Sequence, residues 1–284
     1  MDKLKTVIFV DGENFRNNLR NFKFQSTPPH PTHPKYELEE RHFLWGDFFA
    51  GIISKFDSLT TWEHRLARVY WYYAASISPW RQIPGAAQRI VNRYSSSIPN
   101  LTVGDVNRLA REWYDRERRY FYKLREDVFP HIQSKTDFLE FKYVGQYVVR
   151  PFRVYKLESD PQQGITYLGY QQGEKGVDVG IAADMIEKMP HYDVAILVSG
   201  DADFLPAVKY LKEHLKQVYQ FSLARGVPPR IEYLSPDLKG YVDCFAHYDE
   251  IDLLSRYLDS NCMPRIPQAI MQAIGDRISA LRSP

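Results

Sequence analysis

The chain has 284 residues, 44% hydrophobic and 25% charged, which is ordinary for a globular protein and enough for one large core or two small ones. Its formal net charge is +2, from 37 Lys and Arg against 35 Asp and Glu, too balanced for bulk charge to signal a nucleic-acid partner. Two cysteines, Cys244 and Cys262, exclude a disulfide framework or a cysteine zinc site, and with no membrane-length apolar run and no secretory pattern at residues 1–10 the expected location is cytoplasmic.

Taken in order, residues 6–10 read as a strand that ends at Asp11-Gly12-Glu13-Asn14, and residues 15–22 as a helix. Residues 26–34 form a proline-rich loop, where spacing gives His30 and His33 no metal role. A helix is predicted over 37–56, with Phe43, Leu44, Phe48, Ile52, Ile53 and Phe56 at helical spacing. The aromatic run 65–75 reads as the second strand, 85–94 as a helix, 95–100 as a turn and 106–128 as a long helix. Residues 138–155 hold two β-like runs, 138–143 and 147–155, closed by a turn at 160–163. A helix opens at Lys175-Gly176-Val177-Asp178 and runs to about 189, with Val179, Ala182, Ala183 and Ile186 on its expected buried side. The uninterrupted apolar run 194–198 reads as a strand buried on both faces. A helix over 204–215, a strand over 217–223, a short helix or irregular segment over 231–238, a last strand within 241–248 and helical tails over 249–258 and 267–282 follow. The alternation predicts an α/β fold with a central, mostly parallel sheet flanked by helices, and long helical insertions at about 23–62 and 80–135. These insertions are read as parts of one domain spanning 1–252, with 253–284 as a C-terminal helical tail.

Acidic residues recur where a parallel sheet would gather them. Asp11 follows the first strand, Asp178 opens a helix, and Asp201 and Asp203 follow the strand 194–198. In open α/β sheets ligands bind beyond the C-terminal strand ends, and fixed carboxylates close together repel unless a cation or proton sits between them. Four of them make an oxygen-rich site suited to Mg²⁺ or Mn²⁺. Two such ions roughly 4 Å apart could clamp the attacking and leaving oxygens of a phosphoryl transfer. Each acid has a plainer reading as a helix N-cap, and capping alone does not account for the pair Asp201 and Asp203.

The set Asp11-Gly12-Glu13-Asn14, Lys175-Gly176-Val177-Asp178-Val179 and Ser199-Gly200-Asp201-Ala202-Asp203-Phe204 resembles, in the same order, the motifs of the NYN domain, in the LabA-like branch of the PIN-like nuclease superfamily. The resemblance covers about residues 6–250 and leaves the two insertions unaddressed. It implies a Rossmann-like fold and a metal-dependent endoribonuclease whose catalytic and metal-binding residues are Asp11, Asp178, Asp201 and Asp203. Asn14 matches the asparagine that supports the first aspartate, and Ser199 the small hydroxyl residue before the acidic pair. Asp184 matches a recurring acidic position, but six residues along a helix is about 9 Å of rise, so it is given a supporting role away from the ion held by Asp178. A haloacid-dehalogenase-like phosphatase would need an aspartate where Glu13 stands.

The implied partner is RNA, in single-stranded form, and no membrane; the insertions leave room for a homo-oligomer or a protein partner. Lys175, Arg111 and Arg118 are candidate substrate contacts. The helix 106–128 sets Arg108, Arg111, Arg116, Arg118, Arg119, Lys123 and Arg125 beside Trp113, Tyr114, Tyr120 and Tyr122, a pattern that suits phosphate pairing and base stacking. Glu112, Asp115, Glu117, Glu126 and Asp127 interleave with them, so a salt-bridged solvated helix is the favoured reading. A second basic set joins Arg65, Arg68, Arg81, Arg89 and Arg93 to Trp71 and Tyr72. The alternative to an enzyme is a non-catalytic RNA-binding or regulatory module on the same fold.

Overall fold

The computed structural model describes residues 2–24, 36–160, 162, 164–232, 234–259, 261 and 265–283. The proline-rich loop with His30 and His33, and Cys262, lie outside the described residues. The chain divides into two compact units. The first comprises residues 1–73, 131–142 and 178–284, and the second residues 74–130 and 143–177.

In chain order the strands are β1 (Leu4–Asp11), β2 (Lys23–Phe24), β3 (Tyr36–Glu37), β4 (His64–Ile77), β5 (Leu139–Asp160), β6 (Gly164–Lys175), β7 (Val194–Val198), β8 (Gln217–Leu223) and β9 (Cys244–Tyr248). The helices are α1 (Gly12–Arg20), α2 (Trp45–Leu59), α3 (Ala86–Tyr94), α4 (Val103–Lys123), α5 (Phe129–Ser134), α6 (Val177–Glu187), α7 (Leu205–Glu213), α8 (Pro236–Tyr241), α9 (Glu250–Arg256) and α10 (Gln268–Arg282). Seven strands form a mostly parallel sheet in the order β6-β5-β4-β1-β7-β8-β9, as an α/β fold requires.

In the first unit, β1 pairs in parallel with β4 on one side and β7 on the other, and β8 and β9 continue in parallel beyond β7. The strand order therefore reverses at β1, which makes its C-terminal end the topological switch point where such sheets bind ligands. All five residues of β7 are buried, as an uninterrupted apolar strand demands. An aromatic cluster supports α1: Phe15 stands edge-on to Trp45, Phe48 and Trp71 at centroid distances of 5.6, 5.8 and 5.4 Å. The buried Arg16 guanidinium meets the buried Glu40 carboxylate at 2.6 Å, tying α1 to the first insertion. That charge holds the Glu40 carboxyl below its usual range even though burial alone would raise it.

Three expectations change. The segment 37–56 begins not as one helix but as the end of β3 and a 3₁₀ turn at Glu40–His42, before α2. The buried stripe of α6 is Val177, Ile181 and Met185, while Val179 is 73% exposed, so the helix is turned away from the expected face. The two β-like runs between 138 and 155 are one strand, β5, and β6 was not foreseen at all. In the second unit β5 and β6 form an antiparallel hairpin, and α4 packs on both β6 and α3.

Candidate active site at the switch point

Register brings two strand ends together. Val10 pairs with Val198, so the next residues, Asp11 and Ser199, leave the sheet side by side from strands far apart in sequence. The Ser199 hydroxyl donates to Asp11 Oδ2 at 2.8 Å. The same Ser199 oxygen accepts the Asp201 amide at 3.2 Å, and Gln220 Nε2 donates to the Ser199 carbonyl at 2.8 Å. The Asn14 amide donates to Asp11 Oδ1 at 3.0 Å, and the Gly200 amide reaches Asn14 Oδ1 at 3.4 Å. Asp11 is thus both the N-cap of α1 and a buried carboxylate, so the plain reading and the functional one coincide.

Gly12 makes this geometry possible. A Cβ there would stand 2.2 Å from the Tyr72 carbonyl oxygen and 2.9 Å from Trp71 Nε1, so no side chain fits where α1 leaves β1. The second position of Asp11-Gly12-Glu13-Asn14 is therefore set by the close approach of β4.

The electrostatics set Asp11 apart. It is 4% exposed, and its pKa is raised to about 7. Burial is the main cause; the Asn14 and Ser199 hydrogen bonds oppose it, and the neighbouring Asp178 and Glu13 charges add to it. Glu13 was not singled out from the sequence, although an acid two residues from Asp11, in the first turn of α1, was its available signal. Gln220 was missed too: a glutamine amid the apolar residues of β8, fully buried, is a polar group with a job, here holding the Ser199 carbonyl.

The remaining candidates are placed as follows. Asp178 lies in the first turn of α6, near enough to Asp11 to raise its pKa. Asp201 Oδ1 accepts the Asp203 amide at 2.9 Å, capping a 3₁₀ turn, and Asp203 itself is exposed. Asp184 faces elsewhere: it accepts the Tyr72 hydroxyl at 2.7 Å and pairs with Lys188 at 3.0 Å. Burial and this hydrogen bond hold the Tyr72 hydroxyl protonated, well above its usual range. Among the described residues no three or more His, Cys, Asp or Glu side chains are gathered closely enough to hold a metal ion. The buried Asp11 carboxyl, reluctant to ionise and near enough to Asp178 to feel its charge, suits a divalent cation as counter-charge.

In the second unit, exposed Lys175 ends β6. On α4, Arg111 pairs with Asp115 at 3.0 Å and lies 5.0 Å over the Trp80 ring, Arg108 pairs with Glu112 at 3.1 Å, and Arg118 lies 5.7 Å over the Tyr122 ring. Trp113 and Tyr114 are buried, as are Trp71 and Tyr72 in the first unit, so these four rings are core and not stacking surfaces.

The family model of the NYN domain matches residues 114–238, which include Asp178, Asp201 and Asp203. Over that stretch the chain carries an NYN domain. Its seven-stranded, mostly parallel sheet is consistent with that fold, and the domain places it with the PIN-like nucleases, whose substrates are nucleic acids and which typically use divalent metals. The match begins at residue 114, so β1, β4 and Asp11 lie outside it. The structure of a protein of unknown function from Vibrio parahaemolyticus is similar at a TM-score of 0.39 and 18% identity, covering 86% of this chain and 93% of that one, too low a score to bear on fold or function. No curated protein matches this chain. Among the described residues no helix of this NYN protein is long and apolar enough to cross a membrane.

Proposed function

We propose that the protein is a metal-dependent endoribonuclease that hydrolyses phosphodiester bonds of single-stranded RNA, with Asp11, Asp178, Asp201 and Asp203 as its acidic site. The observation that carries the reading is the state of Asp11: a buried carboxyl with its pKa near 7, oriented by Ser199 and crowded by Asp178. A group of that kind is costly to keep unless a ligand uses it. Asp11 and Asp178 would hold the cation, with Asp201 and Asp203 completing the acidic set. A bound Mg²⁺ or Mn²⁺ would supply charge neutralisation at the scissile phosphate and lower the pKa of attacking water.

The chain's own residues do the rest. Ser199 fixes one oxygen of Asp11 and Asn14, through its backbone, fixes the other, so the carboxylate does not rotate away. Ser199 also joins Asp11 to Asp201, which makes the two strand ends one unit. Water attacks phosphorus in line and the 3′ oxygen leaves, giving a 5′-phosphate and a 3′-hydroxyl.

The test is cleavage of labelled single-stranded RNA in Mn²⁺ and in EDTA by wild type and Asp201→Asn. Cleavage that stops in EDTA and in the variant, with the circular-dichroism spectrum unchanged, supports the reading. An Asp201→Asn protein that cuts as fast as wild type sinks it. Tight RNA binding in EDTA without any cut in Mn²⁺ favours the non-catalytic module instead.

A further inference from the structure

The second unit holds a charged feature of the other sign. Between the end of β4, the start of α3 and the middle of β5 lies a groove of about 470 Å³. Arg81, Arg89, Arg150 and Arg153 line it, and no aspartate or glutamate does. All four arginines are exposed. Among the described residues none of them enters an ion pair. Arg150 donates to the Gln172 side-chain oxygen at 2.8 Å, and the Arg153 guanidinium lies 4.0 Å over the Tyr170 ring. This differs from α4, where Arg108 and Arg111 are matched by acids on the same helix.

The groove is built and not incidental. The β5–β6 pairing passes from Arg150–Tyr170 directly to Val154–Gly169, so residues 151–153 bulge out of the ladder. A bulge bends the strand and re-aims its side chains, and Pro151, with no N–H to leave unpaired, suits that place. The Tyr167 hydroxyl donates to the Pro151 carbonyl and holds the bulge down. Trp80 packs on Phe152 at 5.4 Å and on Tyr114 at 5.5 Å, and the Ser78 hydroxyl donates to the Val149 carbonyl at 3.2 Å, so the walls are braced. The N-terminus of α3 has no side-chain cap and no acid in its first turn, which adds positive potential.

We propose that this groove is a binding site for the sugar-phosphate backbone of single-stranded RNA, which it holds without cutting. Guanidinium forks match phosphate oxygens, and four of them around one open groove suit successive phosphates better than one small anion. Half-buried Phe152 and exposed Ile83 give the bases an apolar surface that an acidic peptide would not need. The choice of RNA rests on the reading of the chain as an RNA-cutting NYN protein.

The experiment measures anisotropy of a fluorescein-labelled oligouridylate with the full chain in EDTA, at several salt concentrations. In Arg81→Gln/Arg89→Gln/Arg150→Gln/Arg153→Gln the dissociation constant should rise by about 50-fold or more, and the salt slope should fall by about 2–3, at roughly 0.7 per single-strand phosphate contact. Each pair, Arg81→Gln/Arg89→Gln and Arg150→Gln/Arg153→Gln, should lose about 5- to 10-fold, which keeps the test available if the fourfold variant does not fold. Wild-type affinity and slope in both pairs overturn the proposal. So does polyglutamate that displaces the RNA at equal charge concentration, which would assign the groove to an acidic protein. Asp201→Asn separates the two readings: if it stops cleavage while the groove variants bind normally, only the groove fails. If cleavage survives Asp201→Asn while the groove variants lose RNA, the catalytic reading fails and the groove stands.

Discussion

The acidic site of the first unit and the arginine groove of the second solve opposite electrostatic problems. At the switch point the Asp11 carboxyl is buried, hydrogen-bonded and within reach of the Asp178 charge, so its own charge is costly until something cationic arrives. In the groove, guanidinium groups stay exposed and solvated, so their charge costs little and is available to a passing polyanion. The first arrangement suits chemistry on one phosphate. The second suits holding many. Position in the fold explains the contrast: β1 and β7 are central strands that expose only their ends, while residues 151–153 bulge from a hairpin that carries its side chains outward.

The largest expected effect separates turnover from grip. Asp201→Asn should lower single-turnover RNA cleavage by about 100-fold or more, equivalent to ~3 kcal/mol of transition-state stabilisation. RNA affinity in EDTA should hold within about twofold. A variant that loses affinity and cleavage in parallel would dissolve the division between the two regions.

Next comes the cost of the buried acid. The folded pKa of Asp11, raised to about 7, exceeds its unfolded value of 3.8, so the folded state binds this proton more tightly. Stability of the metal-free chain should therefore fall as pH rises from about 4 to about 7, by a few kcal/mol at most. Asp11→Asn removes that dependence and should be the more stable protein in EDTA at pH 8, an advantage that saturating Mn²⁺ should reduce. Urea midpoints for both proteins at pH 5 and pH 8 check this, and parallel curves would show that Asp11 carries no such strain. No comparable pH effect is expected from the groove, since arginine does not titrate there.

Gly12→Ala should destabilise by about 2–3 kcal/mol, because its new methyl meets a β4 carbonyl at 2.2 Å and backbone must shift. Thermal unfolding reads it, and a loss below 0.5 kcal/mol, roughly the scatter of a surface change, would mean that the switch-point loop is softer than its packing suggests. The smallest effect sharpens the contrast from the other side. Arg111→Ala removes an exposed arginine already paired with Asp115, so RNA affinity should change by less than about twofold and stability by ~0.5 kcal/mol. A tenfold loss of RNA would move the binding surface from the groove to α4.

Much of the first unit was legible in the sequence because its signals are local and agree with one another. The run 194–198 is apolar throughout since both its faces are covered, and Asp11 caps α1 while lying where the motif needs it. β6 was not legible, for a physical reason: its glycines and glutamines read as loop. Gly169 is there because the Trp113 ring lies against it, where a Cβ would come within 2.5 Å. That requirement belongs to α4, some 50 residues away, and no window around β6 contains it. β5 was split in two because Val144-Gly145-Gln146 interrupts an otherwise β-like run. The acids were read as a set, but no signal near them in the chain tells that Asp201 spends an oxygen on the Asp203 amide or that Asp184 is held by Tyr72 and Lys188. The arginines of the groove are scattered over residues 81–153, and only the folding of α3 beside the bulged β5 unites them.

The hydrogen bond from Ser199 to Asp11 closes a loop of 188 residues. Contacts of such high sequence separation must wait until the intervening chain has lost most of its freedom, which makes them late and slow to form. Half-folded chains would therefore hold β7 or β1 but not their shared end. Catalytic competence should appear last in refolding, after helical signal has returned, and a nascent chain should be unable to cut RNA before residues 194–203 have been made.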